Sequence, residues 1–211
     1  MTTTGSSTSS GTAQAVALQL SELVLKTARH EEMAAFYTHL LGQGPFFERT
    51  PDPDAPPRPP GMPERAVDVR LAFFRITDTP HSQVLGLFGI DSLAGADAVG
   101  PGLHHFQFGV ASLGGLVAQH EHMAAIGVRP HRAANHGQAT SFYFRDPDGN
   151  IVEFSCSNFD TIEEEVAFMS GPVFAANPSG LELDADRFVS RFRAGDPLDE
   201  LLRLDNQAVA L

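Results

Sequence analysis

Thr140-Ser141-Phe142-Tyr143-Phe144-Arg145-Asp146-Pro147-Asp148-Gly149-Asn150-Ile151-Val152-Glu153-Phe154 reads as a strand, a tight turn and a returning strand. Ser141 to Arg145 is rich in aromatics, which suit a pleated, half-buried surface. In the turn, Pro147 presets φ, Gly149 accepts a positive φ, and the Asx side chains bond the local backbone. Glu153 is the odd residue. A carboxylate in an apolar returning strand is costly unless it is paired, binds a metal or faces water at a strand edge.

The chain has 211 residues, enough for one sizeable core or for two small modules that share one. A net charge of -12 argues against nucleic acid or an anionic membrane surface as partner. Cys156 is the only cysteine, so an internal disulfide and a thiolate cluster are excluded, and a reducing, cytoplasmic compartment is expected. No apolar run approaches the ~20 residues of a membrane span, and the N-terminus lacks the order of a secretion signal.

Outward from the opening stretch, the same element order occurs twice. Leu20 to Thr27 alternates as a strand, with Glu22, Val24 and Lys26 on one face and Leu23 and Leu25 on the other. Arg29 to Leu41 has helical spacing, and Gly42 and Gly44 stop it. Phe46 to Arg49, Val67 to Ile76 and Val84 to Phe88 complete a set of three further strands. Between them lies a loop with prolines at 51, 53, 56, 57, 59, 60 and 63, which cannot join a sheet. The pattern restarts with a strand at 103–110, a helix at 112–126, a short strand at 128–132, and the opening pair. The fold class is therefore α+β: two tandem βαβββ modules forming one incomplete barrel, with a C-terminal helical tail. The expected boundaries are a disordered segment at 1–17, modules at 18–90 and 102–158, a linker at 91–101, and a helical extension at 159–211.

In a duplicated βαβββ unit the two first strands lie near one another. Glu22 and His105 hold equivalent places on them, and Glu153 borders the same concavity. One His and two carboxylates are an N/O ligand set suited to Fe(II), Mn(II) or another divalent first-row metal. Alternation selects His105 over His104, which shares a face with Phe106 and Phe108 and reads as packing against the helix. His30, His39, His120 and His122 read as surface residues, and Cys156 as a core thiol.

His104-His105-Phe106, Thr140-Ser141-Phe142-Tyr143 and Asp146-Pro147-Asp148-Gly149-Asn150-Ile151-Val152-Glu153 resemble the vicinal oxygen chelate superfamily. It includes glyoxalase I, fosfomycin-resistance enzymes, bleomycin-resistance proteins and extradiol ring-cleavage dioxygenases. The resemblance covers about residues 18–158 and is strongest to small catechol- or biphenyl-diol-dioxygenase-like proteins. It implies a metal held by His105 and Glu153, with Glu22 standing where an extradiol enzyme has its other His. Glyoxalases vary at that position. A second carboxylate there would lower the Lewis acidity of the ion.

The resemblance further implies an Fe(II)-dependent cleavage of a small aromatic diol by O2, in aromatic compound catabolism. Tyr143 matches the tyrosine that orients the substrate. Two residues compete for the acid–base role: His81, ahead of the 84–88 strand, and His136, in the loop before Ser141. Arg145 shares the face of Tyr143 and is a candidate partner for an anionic substrate or for Glu153. Phe46, Phe47, Phe73, Phe142 and Phe144 suggest an aromatic-tolerant cavity. Two other readings stand beside this one: a metal-dependent isomerase, epimerase or lyase with Glu22 as base, and a metabolite- or drug-binding protein without catalysis. A homodimer is expected from the apolar face of Phe188, Val189 and Phe192.

Overall fold

The computed structural model describes residues 20–51, 53–54, 68–76, 83–95, 103–177 and 179–204. The expected disordered lead, most of the proline-rich loop, His81 and most of the 91–101 linker lie outside those residues. The expected α+β architecture is present as two open sheets with helices packed on them. In the first half, β1 (Glu22–Thr27) is followed by α1 (His30–Leu41), β2 (Phe47–Arg49), β3 (Arg70–Arg75) and β4 (Val84–Gly89). They form a sheet of order β1-β4-β3-β2. In the second half, β5 (His105–Gly109), α2 (Leu113–Ala124), β6 (Arg132–Asn135), β7 (Ala139–Arg145) and β8 (Ile151–Ser157) repeat the order. Their sheet, β5-β8-β7-β6, gains a fifth strand, β9 (Leu181–Glu182), on its β6 edge.

Each helix buries one stripe against its sheet. Met33, Phe36, Tyr37 and Leu40 of α1, and Leu113, Leu116, Val117 and Met123 of α2, join one continuous core with Leu85, Leu87, Phe142, Phe144, Val152 and Phe154. Helix α1 ends where Gly42 takes φ 68°, a left-handed conformation open to glycine. The two helices meet through an equivalent pair, His39 and His122. Their rings stack at 4.2 Å, and each Nε2 lies 3.0 Å or 2.6 Å from the backbone carbonyl oxygen of the other.

The tail runs α3 (Ile162–Met169), α4 (Pro172–Ala176), β9, α5 (Ala185–Ala194) and α6 (Leu198–Leu201). Helix α3 opens on a capping box between Thr161 and Glu164. Phe188 and Val189 of α5 are buried in the core of their own chain, and Phe192 packs on it. The apolar face that suggested a dimer is thus already covered from within, because α5 lies over α2 and Phe142.

Two local expectations need correction. The strand expected at 128–132 forms at Arg132–Asn135, since Pro130 has no N–H to give the ladder and Ala133 and Ala134 carry no pattern of their own. His120 is not a surface residue. It is 3% exposed, edge-on to Phe142, with Nε2 3.1 Å from Asp186 of α5.

Candidate metal centre

The turn quoted at the outset fixes the site. Asp146 accepts hydrogen bonds from the backbone N–H of Asp148 (3.0 Å) and Asn150 (2.9 Å), from the Asn150 side-chain amide (2.9 Å), and from the Tyr37 hydroxyl (2.8 Å). Burial still pushes the Asp146 carboxyl upward, against those bonds. Burial and the nearby Asp146 charge raise the Tyr37 phenol well above its ordinary value. Gly149 has φ 85° at the turn's tight corner. With the turn held this way, β7 and β8 pair so that Tyr143 faces Glu153 and Ser141 faces Ser155.

The β5–β8 register puts Gln107 beside Glu153 and His105 beside Ile151. Side chains of equal parity share a face. One row of the sheet therefore reads Gln107, Glu153, Tyr143, Arg132. Glu153 is 5% exposed and Tyr143 9%. The buried carboxylate is not alone: His105 Nε2 lies 3.1 Å from Glu153 Oε2, and Tyr143 sits directly opposite Glu153 across the β7–β8 ladder. His136 Nε2 lies 2.8 Å from the Tyr143 hydroxyl. The Arg132 guanidinium caps the Tyr143 ring at 5.0 Å. Burial, and then the adjacent Glu153 charge, push the Tyr143 phenol up to about 12.

The Tyr143 hydroxyl has one proton to give and lies within hydrogen-bond distance of His136 Nε2, which accepts it in the tautomer protonated at Nδ1. His104 adds a constraint. It is exposed rather than packed against the helix, and its Nδ1 lies 2.7 Å from Nδ1 of His105. One of those nitrogens carries the proton and the other accepts it, which leaves His105 Nε2 aimed at Glu153.

Two ligands each about 2.1 Å from one ion, at right angles, lie about 3 Å apart. His105 Nε2 and Glu153 Oε2 have that spacing and that chemistry. Glu22 does not join them. It is exposed at the start of β1, paired with Val84. Among the described residues no three His, Cys, Asp or Glu side chains are gathered as a ligand set. Arg145 donates instead to the Gly149 carbonyl at 2.9 Å. Phe142 and Phe144 belong to the core face of β7, whereas Phe46, Phe47 and Phe73 cluster on the open face of the first sheet. Arg132 and the pair Ser141–Ser155 (2.9 Å) were not legible as site residues. Only the cross-strand register brings them to this face.

An open α+β sheet pair carrying a His–Glu–Tyr–His constellation on one face defines the class of protein. Residues 19–154 match the Glyoxalase/Bleomycin resistance protein/Dioxygenase superfamily, to which this chain belongs. Biphenyl-2,3-diol 1,2-dioxygenase 2 of Rhodococcus globerulus is 34% identical over 183 residues, covering 87% of this chain and 86% of that protein. Biphenyl-2,3-diol 1,2-dioxygenase 3 of the same organism is 30% identical over 185 residues, with the same two shares. A glyoxylase/bleomycin resistance protein/dioxygenase domain from Frankia sp. EAN1pec shares the fold. Its TM-score is 0.52 at 18% identity, over 70% of this chain and 96% of that one. No helix among the described residues is long and apolar enough to cross a membrane.

Proposed function

We propose that the chain is a metal-dependent dioxygenase that cleaves a small aromatic diol beside its hydroxyl-bearing carbons. The observation that carries this reading is the 3.1 Å approach of His105 Nε2 to the buried Glu153 carboxylate, with Tyr143 and His136 in line behind it. The relatives named as biphenyl-2,3-diol dioxygenases support the same substrate class. His105 and Glu153 would hold a divalent ion, Fe(II) first and Mn(II) next, and neither donor can bind it while sharing a proton. Bound there, such an ion would supply Lewis acidity for the two diol oxygens and an electron path between diol and dioxygen.

The rest of the chemistry belongs to the chain. Tyr143, with a phenol pushed up to about 12, stays protonated at neutral pH and so acts as a donor that orients a diol oxygen. His136, bonded to that phenol, is the group placed to accept the diol proton and return it to the product. Both oxygen atoms of O2 enter the product as one ring carbon–carbon bond breaks, so no external reductant is needed. The lyase or isomerase reading used Glu22 as a base at the ion. Its exposed place on β1 gives that role no support.

Oxygen uptake with a panel of catechols, on protein loaded anaerobically with Fe(II), tests the proposal. Uptake of one O2 per diol consumed is expected. No uptake with any diol, at full metal occupancy, would contradict it.

A further inference from the structure

His136 sits in the short turn that joins β6 to β7, and that turn is gripped from outside the site. Its backbone N–H donates to the Ala139 carbonyl at 2.8 Å. The preceding residue, Asn135, is fully buried. Its Oδ1 accepts from the Gly137 N–H (2.9 Å) and from the Asn158 amide (3.1 Å). Its own amide donates to the Leu202 carbonyl (2.8 Å), at the end of α6. Asn158 grips the other flank. Its amide donates to the Gly137 carbonyl (3.0 Å), its N–H to the Gln138 carbonyl (2.8 Å), and its Oδ1 accepts from the Thr140 hydroxyl (2.9 Å).

The tail also presses on the backbone of the turn. A Cβ at Gly137 would meet the Phe168 ring at 2.3 Å, and one at Gly180 would meet the Asn135 carbonyl oxygen at 2.5 Å. Packing alone does not hold the histidine, however. A cavity of about 130 Å³, lined by His136, Phe168, Val173, Leu181 and Leu204 among others, lies on the tail side of the turn. A turn released from its amide bonds has room to relax into it.

We infer that Asn135 is a positioning residue for His136: its two-way amide sets the reach of His136 to the Tyr143 hydroxyl and makes that reach depend on the C-terminal segment. Only a side chain that accepts and donates at once can tie the turn to Leu202. Aspartate keeps the acceptor toward Gly137 but opposes an oxygen to the Leu202 carbonyl. A displacement of about 1 Å at a proton-transferring group costs up to about a hundredfold in rate.

The kinetic consequence rests on the proposed ring cleavage, whereas the geometric one does not. The test therefore uses full-length protein labelled with 15N-histidine. The His136 Nε2 signal in the parent is compared with that in Tyr143→Phe, which marks the broken bond. In Asn135→Asp the signal is expected to move to the Tyr143→Phe position. Turnover of catechol should fall about tenfold or more, with KM within about twofold and metal content unchanged. Asn158→Ala, a half-buried site that tolerates truncation better, should move the signal the same way by a smaller amount. It decides the matter if Asn135→Asp fails to fold. A His136 signal at the parent position in the folded variants would overturn the assignment. If no diol is turned over by the parent, the ring-cleavage reading fails, and the spectra still decide the role of Asn135.

Discussion

The middle rows of the two sheets occupy equivalent places in the repeat and carry opposite chemistry. In the first sheet the row is Val24, Gly86, Phe73, Phe47; in the second it is Gln107, Glu153, Tyr143, Arg132. Glycine stands where the other half has its buried carboxylate, and phenylalanine where it has the tyrosine. The Phe73 ring lies across Gly86, within 6.4 Å of Phe88 and 5.8 Å of Phe47, and builds a small apolar cluster with Val69, Leu71 and Ile90. One backbone plan thus supports an apolar face and a proton-bonded polar face. The fold supplies the register, and the side chains on one row decide whether chemistry follows.

If catalysis belongs to the second row alone, removing its phenol should have a large effect. Tyr143→Phe, which copies Phe73, is expected to lower kcat for a catechol about a hundredfold, measured by oxygen uptake. An unchanged kcat would mean that the two rows do not differ in function. The reverse change probes packing. A Cβ at Gly86 would lie 2.9 Å from the Phe73 ring and 3.2 Å from a Val24 methyl. Gly86→Ala should destabilise the fold by about 1–2 kcal/mol, read from denaturant midpoints, without changing metal content.

The smallest effect is on pH dependence. An unfolded tyrosine titrates near 10, and folded Tyr143 near 12. The folded state holds the proton more tightly, so this contribution to stability is complete below about pH 10 and is lost as pH rises toward about 12. Tyr143→Phe should therefore lose less stability than the parent between about pH 9 and 11.5, by about 1–2 kcal/mol. Tyr37 titrates in the same direction in both proteins and cancels in the difference.

Much of this arrangement was legible in the chain itself. Period 3.6 marked α1 and α2, period 2 marked β1 and β5, and the Asp-Pro-Asp-Gly-Asn turn located the β7–β8 pair. His105, Tyr143 and Glu153 followed from alternation and resemblance, and the structure brings them together with His136. The failures have physical causes. β6 is nearly all small or polar, so nothing in it announces a strand. His120 is polar but is covered by α5, an element far along the chain. Phe142 and Phe144 flank Tyr143, and strict alternation sends them to the core face, away from it. The Asn135–Asn158–Leu202 contacts join residues 23 and 67 positions apart, beyond any local pattern. Glu22 matches His105 by repeat position, yet position in a repeat does not set distance between sheets.

Metal content tests the central claim most directly. Protein purified without chelator and reconstituted with Fe(II) or Mn(II) should hold about one ion per chain. His105→Ala and Glu153→Ala should lose it, and Glu22→Ala should keep it. Retention in Glu153→Ala, or a parent that takes up no metal at all, would contradict the assignment of the site to the second sheet.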